Sequence, residues 1–292
     1  MLIEVQHFQQ LERHLRHQTD LRLQHTFNHA WGFYLLDVDE DGLGLGRLGL
    51  RQAKGVFQDG TAFSIPSHEV LPAPLDTSMA KAGDVAYLAI QAARSGGPEM
   101  AFGEQNQIAR YRAIETQVPD LCIGHEANGA PRQVLMETGV LQTRLCWQGQ
   151  LRSDEVGLPI ARVAGRSANQ VTMLDARFIP PLLNARAHQS LQSLVEELQS
   201  VLLVRLSRGA GLHTLSSSGG LADLVELLLR QALAEYRMRL GQLDAYEPLP
   251  PVLLHQELMG LLGRLSILPG IEDELIDQVF TYAHDNLQAS FE

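Results

Sequence analysis

Hydrophobic positions recur along this chain in three successive rhythms. From Gln6 to Thr26, Phe8, Leu11 and Leu15 stand three and four apart among polar residues, and apolar positions then drift to Leu21, Leu23 and Phe27. That spacing predicts an amphipathic helix with a narrow apolar stripe, one that lies against something rather than inside it. At Trp31 the rhythm shortens into strands punctuated by turns. Glu40-Asp41-Gly42 marks one turn; Gln58-Asp59-Gly60, between Val56-Phe57 and Thr61-Ala62-Phe63, marks a hairpin. Further strands are expected over 85–93, 110–118, 133–137, 141–147 and 158–166, with loops at 94–107 and 119–132. Many short strands with no helix between them argue an antiparallel sandwich or barrel.

A third rhythm begins after Phe178-Ile179-Pro180-Pro181. Leu191, Leu194, Val195, Leu198, Val201 and Leu202 share one face of a helix over 188–206. Residues 208–220 read as a flexible connection. A second helix over 221–240 carries Leu221, Leu224, Val225, Leu228, Ala232 and Tyr236 at helical spacing. Leu227, Leu229 and Leu233 fall outside that stripe, so an exposed apolar groove is expected beside them. Helices over 252–266 and, more weakly, 272–282 complete a bundle. Pro180 and Pro181 exclude helix and predict an extended joint, with Phe178 and Ile179 anchored in a core. The fold class is therefore α+β, an N-terminal antiparallel sandwich followed by a helical bundle. The expected divisions are an arm over 1–30, a sheet domain over 31–173 and a helical domain over 174–292.

Charge narrows the possible partners. The formal net charge is −11, and Lys54 and Lys81 are the only lysines. Nucleic-acid binding needs basic surface to displace counterions, so that class is excluded, and an anionic membrane is disfavoured on the same ground. Cys122 and Cys146 form no disulfide framework and read as reduced thiols. No basic start with an apolar run marks a signal peptide, and no stretch reaches membrane-spanning length, so a cytoplasmic protein is expected.

Candidate chemistry is thin. His25 and His29 are four apart, as helix-borne zinc ligands are, but no Cys, Asp or Glu completes the set. Gly42, Gly44 and Gly46 imitate a dinucleotide loop, yet a strand pattern follows where a helix N-terminus would be needed. His213 beside Ser216-Ser217-Ser218 lacks a nucleophile elbow. The acidic run Asp37, Asp39, Glu40, Asp41 lacks calcium-loop spacing. The residues supply no catalytic set, no cofactor loop and no metal site.

Four stretches, in order, resemble the TssK family of type VI secretion baseplate proteins. Gln6-His7-Phe8-Gln9-Gln10 matches its helix-opening PQHFQQ element. Trp31-Gly32-Phe33, then Leu48-Gly49-Leu50, Gly55, Phe57 and Asp59-Gly60-Thr61, match its opening strands and DGT hairpin. Arg110-Tyr111-Arg112 and Leu158-Pro159-Ile160-Ala161-Arg162-Val163 match its later strands. Asp175 with Arg177-Phe178-Ile179-Pro180-Pro181-Leu182 matches the FIPP element leading into helices. The motif residues Gln6, His7, Phe8, Gln9, Trp31, Gly32, Asp59, Gly60, Phe178, Ile179, Pro180 and Pro181 are candidates for structural or partner-contact roles.

The resemblance implies a homotrimer with a sandwich shell like the shoulder of phage receptor-binding proteins, a helical neck and a C-terminal head. It implies a structural adaptor, not an enzyme, docking on the baseplate wedge and linking it to the membrane complex. Two departures stand out. The family's residues before the QHFQQ element are absent, and Tyr282–Leu287 resembles the element preceding the last neck helix. Contact with the membrane complex is therefore not expected of this stretch. The alternative is a phage-like sandwich module binding a carbohydrate or small ligand. Only Trp31 and Trp147 are available as sugar platforms, and both sit in strand patterns that suit core tryptophans.

Overall fold

The structure, a computed structural model, describes residues 4–93, 99–101, 109–119, 133–169, 171–208, 220–267 and 280–291. It divides into two compact units: residues 36–175, and residues 1–35 together with 176–292. Residues 272–279 of the expected fourth helix, 209–219 of the expected connection, Cys122 and most of the two long loops lie outside the described residues, while 280–282, described, are not helical.

Strands build the first unit. β1 (Gly32–Asp39), β2 (Arg47–Val56) and β3 (Ala62–Ile65) form one sheet, with β4 (Leu75–Asp76) also on β2. The β2–β3 hairpin pairs Ala53 with Ile65 and Gly55 with Phe63, the register the Asp59-Gly60 turn predicts. A second sheet runs β11 (Thr172–Leu174), β10 (Glu155–Arg166), β5 (Val85–Gln91), β9 (Arg144–Trp147). Its central strand β5 faces Leu158 with Leu88, and a bulge falls between Pro159 and Ala161. A third sheet joins β6 (Met100–Ala101), in a parallel pairing, to the antiparallel ribbon of β7 (Tyr111–Pro119) and β8 (Gln133–Leu141). Leu48, Phe57, Ile65, Leu88, Ile90 and Leu158 are fully buried, and the Phe57 and Phe63 rings meet at 4.7 Å. Cys146 is a free, buried thiol. The α+β class expected from the rhythms is what the chain adopts. Boundaries differ where β8 runs on past 137 to Leu141 and β9 begins only at Arg144, because Gln142 is drawn away into bonds with Ala109 and Arg110.

Helices build the second unit: α1 (Val5–Thr26), α2 (Gln189–Arg208), α3 (Leu221–Leu243), α4 (Pro251–Leu265) and the short α5 (Leu287–Phe291). Pro251 sits in the first turn of α4, where its missing N–H costs nothing. α2 packs on α3 and α3 on α4. Leu191, Leu202, Tyr236, Leu240, Leu249 and Leu254 fill the core between them.

Two sequence expectations need correction here. Leu233 is buried beside Tyr236 and Leu240, and Leu229 is half-buried, so neither lines an open groove. Leu227 precedes Tyr236 by nine residues, about two and a half helical turns, which puts it on the opposite side. The exposed apolar row instead runs through Leu224, Leu227 and Leu228 on α3, with Val201, Leu203 and Val204 exposed on α2. At the proline joint, Ile179 is buried as expected and Pro180 and Pro181 are buried with it, but Phe178 is only half-buried.

Candidate functional site

Three pairs of motifs, far apart in sequence, meet in space. In the helical unit Trp31-Gly32-Phe33 lies against Pro181-Leu182. The Phe33 amide donates to the Pro181 carbonyl at 2.9 Å, and the Leu183 amide donates to the Phe33 carbonyl at 2.8 Å. Gly32 holds φ at +116°, and a Cβ there would stand 2.8 Å from the Pro181 oxygen. Only glycine combines that backbone angle with that approach.

In the sheet unit, the DGT hairpin meets Arg110. Its guanidinium is 4% exposed, 2.9 Å from the Asp59 carboxylate, and donates to the Gln91 carbonyl at 2.8 Å and to the Thr61 hydroxyl. Burial opposes the charge on Arg110, and the bond to Asp59 more than offsets it, so the guanidinium titrates above its ordinary range. Asp59 also accepts from the Thr61 amide at 3.1 Å, which fixes the turn, with Gly60 at φ +85°. Elsewhere in the same unit, Arg162 grips Asp175 through Nε at 3.1 Å and Nη2 at 2.7 Å, while the Asp175 amide donates to the Arg162 carbonyl at 2.7 Å.

A fourth buried charge was not legible as a site. Glu155, 2% exposed, accepts from Arg144 Nη2 and Arg152 Nη2 at 2.6 Å each. Burial alone would raise its pKa, but those two arginines and the Arg152 amide hold it down at about 2. The Arg152–Glu155 spacing is visible in sequence, whereas Arg144 comes from β9, on the far side of β5 from Glu155.

The first motif behaves differently. Gln6, His7, Phe8, Gln9 and Gln10 are exposed on α1, and Phe8 is 64% exposed. His7 Nδ1 accepts the Glu4 amide at 3.0 Å and so closes the start of the helix. Leu11, Leu15 and Leu21 on the same helix are exposed as well.

Ligand chemistry finds little purchase. Among the described residues no group of three or more His, Cys, Asp and Glu is arranged to hold a metal ion, and no helix is long and apolar enough to cross a membrane. Trp147 donates its indole N–H to the Asp76 carbonyl at 3.1 Å, and Trp31 meets the edge of His284. An open groove of about 240 Å³ in the sheet unit, between Val70–Ala73 and Val140–Thr143 with Arg112 on its wall, offers no aromatic ring for a sugar to stack on.

Among the described residues, such geometry is that of a scaffold, in which motif residues join separate segments of the chain. The chain belongs to the family described as Bacterial Type VI secretion, VC_A0110, EvfL, ImpJ, VasE, whose model matches residues 7–292. It is 31% identical over its whole length to the type VI secretion system baseplate component TssK1 of Pseudomonas aeruginosa and spans 64% of that relative. Its fold matches a crystal structure of TssK with a TM-score of 0.88 at 27% identity, covering all of this chain and 65% of that one. It also matches a chain of a TssK-TssF-TssG baseplate subcomplex with a TM-score of 0.85 at 26% identity, covering all of this chain and 92% of that one.

Proposed function

We propose that the chain is a non-enzymatic adaptor of a type VI secretion baseplate, working as a homotrimer that docks on wedge proteins of the TssF and TssG kind. One observation carries this reading. The later motifs are engaged in internal contacts, while the Gln6–Gln10 motif stands exposed on α1 and, among the described residues, is engaged only at its own helix start. A motif with no internal contact to make is best understood as a partner contact. Trp31, Gly32, Asp59, Gly60, Ile179, Pro180 and Pro181 then serve to hold the scaffold that presents it. The expected divisions into arm, shell and neck agree with this reading, with α1 as the arm.

The exposed row of Leu224, Leu227 and Leu228 supports trimerisation through the helical unit, since a monomer gains nothing from an open apolar face. Linkage to the membrane complex is proposed for the whole protein and assigned to parts other than these two units. A cytoplasmic location fits docking on the inner face of the membrane. Sedimentation tests the trimer: the expected mass is three times 32.3 kDa, and a clean monomer at micromolar concentration overturns it. Co-purification with wedge proteins tests the adaptor role, and failure of the intact chain to capture them overturns it.

A further inference from the structure

In the helical unit, residues 282–291 are held by a group of imidazole and aromatic rings gathered from three places in the chain. His284 is 5% exposed. Its Nε2 lies 2.7 Å from the Trp31 carbonyl and its Nδ1 lies 2.7 Å from the Tyr282 hydroxyl. A carbonyl only accepts, so Nε2 carries the proton and Nδ1 accepts from Tyr282. Both nitrogens are thereby satisfied in the neutral ring. The His29 ring stacks on His284 at 4.7 Å with 13° between planes, and Trp31 meets it edge-on at 4.7 Å. On the other side, His255 of α4 is 5% exposed and contacts the Tyr282 ring at 5.5 Å and the Phe291 ring at 5.9 Å. Its Nε2 is buried without a hydrogen-bond partner among the described residues.

We propose that these rings form a pH-sensitive clasp, closed while His255 and His284 are neutral and opened when they take up protons. The geometry gives the reasons. A proton on His284 places a charge in a buried ring stacked on a second imidazole. A proton on His255 places a charge among Tyr282 and Phe291, where no group among the described residues receives its second N–H. Among the described residues, the groups that face His284 are His29, Tyr282 and the Trp31 carbonyl, with the Asp285 carboxylate nearby. Asp285 is exposed and favours the charged ring, but burial and His29 oppose it more strongly and leave the His284 pKa below the ordinary histidine value. Burial lowers His255 in the same direction.

The sign follows from linkage. Opening exposes rings of ordinary pKa, so the open state binds more protons than the closed one. The closed state is therefore favoured above about pH 6.5 and is progressively lost below it. Each histidine released can shift the opening equilibrium by up to about tenfold per pH unit. What opens is the packing of 282–291 on Trp31 and on α4, while the sheet unit contains none of these rings.

Hydrogen exchange on the full chain tests the clasp at about pH 7.5 and about pH 5.5, either side of the imidazole range. After correction for intrinsic exchange, protection over 282–291 is expected to fall by about tenfold or more at the lower pH. Peptides from β5, 85–91, are expected to keep theirs. Equal protection of 282–291 at both pH values overturns the proposal, as does an equal loss in β5, which would mean general unfolding. The paired substitution His284→Gln with His255→Leu is expected to remove most of the pH dependence; an undiminished dependence overturns the assignment. The imidazole NMR signals of His255 and His284 in the unaltered chain give a second reading that needs no variant. Midpoints below that of a free histidine are expected, and midpoints at or above it overturn the clasp.

Discussion

The sheet unit and the helical unit solve the same problem in opposite ways. In residues 36–175, charged motif residues are drawn inward and paired: Arg110 with Asp59, Arg162 with Asp175, Glu155 with two arginines. In the helical unit the ion pairs lie at the surface, as Arg239 with Glu235, and large apolar side chains stay in solvent on α1, α2 and α3. A buried ion pair commits a segment to its own chain, because removing one partner strands the other away from water. An exposed apolar row does the reverse, since its stabilisation is realised only when something covers it. Leu45, Met79 and Leu135 are exposed in the sheet unit too, so burial of charge is what sets the units apart, and the helical unit adds an exposed apolar row along its helices.

The strongest way to break that contrast is at Asp59. Asp59→Ala leaves the Arg110 guanidinium buried without its counter-charge and removes the bond to the Thr61 amide. Urea unfolding is expected to register a loss of about 3–5 kcal/mol, the range for breaking a buried pair. Glu235→Ala on α3, breaking a surface pair, is expected to change little. If the two substitutions cost the same, burial of charge does not distinguish the units.

A second test strikes the helical unit where it is closed. Gly32→Ala must place a Cβ 2.8 Å from a backbone carbonyl at a φ of +116°, and the carbonyl is one that Phe33 already uses. The expected cost is about 2–3 kcal/mol by chemical denaturation. Gly149→Ala, where a Cβ meets nothing within 4 Å, is the matched control and is expected to stay within about 0.5 kcal/mol of the unaltered chain.

Acid sharpens the comparison further. Glu155 titrates at about 2 in the folded chain, well below an ordinary glutamate. A depressed carboxylate contributes stability above its unfolded pKa and loses it as pH falls towards the folded value. Melting temperature is therefore expected to decline between about pH 4.5 and about pH 2, and Glu155→Gln should flatten that decline. At neutral pH the same substitution is expected to cost about 1–3 kcal/mol, because the two arginines lose a charged acceptor but keep access to water. An unchanged acid limb would show that Glu155 does not govern it.

How much of this was legible in sequence depends on where each residue's partner sits. The 2-residue and 3.6-residue rhythms reported β2, β5, α2 and α3 because period reflects a face, and a face is local. The Asp59-Gly60 turn was readable for the same reason. Leu233 was misplaced because a helix apolar on most of its girth carries no sign of which side meets α2 and α4. Phe178 was read as a core anchor from its bulk beside two prolines, yet the buried residue is Ile179. The pairing of Gly32 with Pro181 was not visible, since nearly 150 residues separate them. The ring group of His29, His255 and His284 was invisible likewise. Sequence marked His29 only as half of a metal pair with His25, and its real neighbours come from the far end of the chain.

The smallest effect on stability is expected at Phe8, and it bears most on function. Phe8 is 64% exposed, and Leu11 and Leu15 beside it are 54% exposed each, so truncating the ring removes almost no buried area. Phe8→Ala should therefore change unfolding free energy by less than about 0.5 kcal/mol. Exposed aromatic side chains become anchors only when a partner buries them, and truncating an anchor of that kind weakens binding by about 2 kcal/mol or more. That loss, about thirtyfold in affinity, should appear in titrations against wedge proteins while sedimentation of the isolated chain stays unchanged. Unaltered wedge binding would remove α1 from the docking surface and leave the Gln6–Gln10 motif unexplained. A fall in thermal stability instead would show that α1 packs on its own chain in solution, and the contrast between the two units would then fail at its most exposed element.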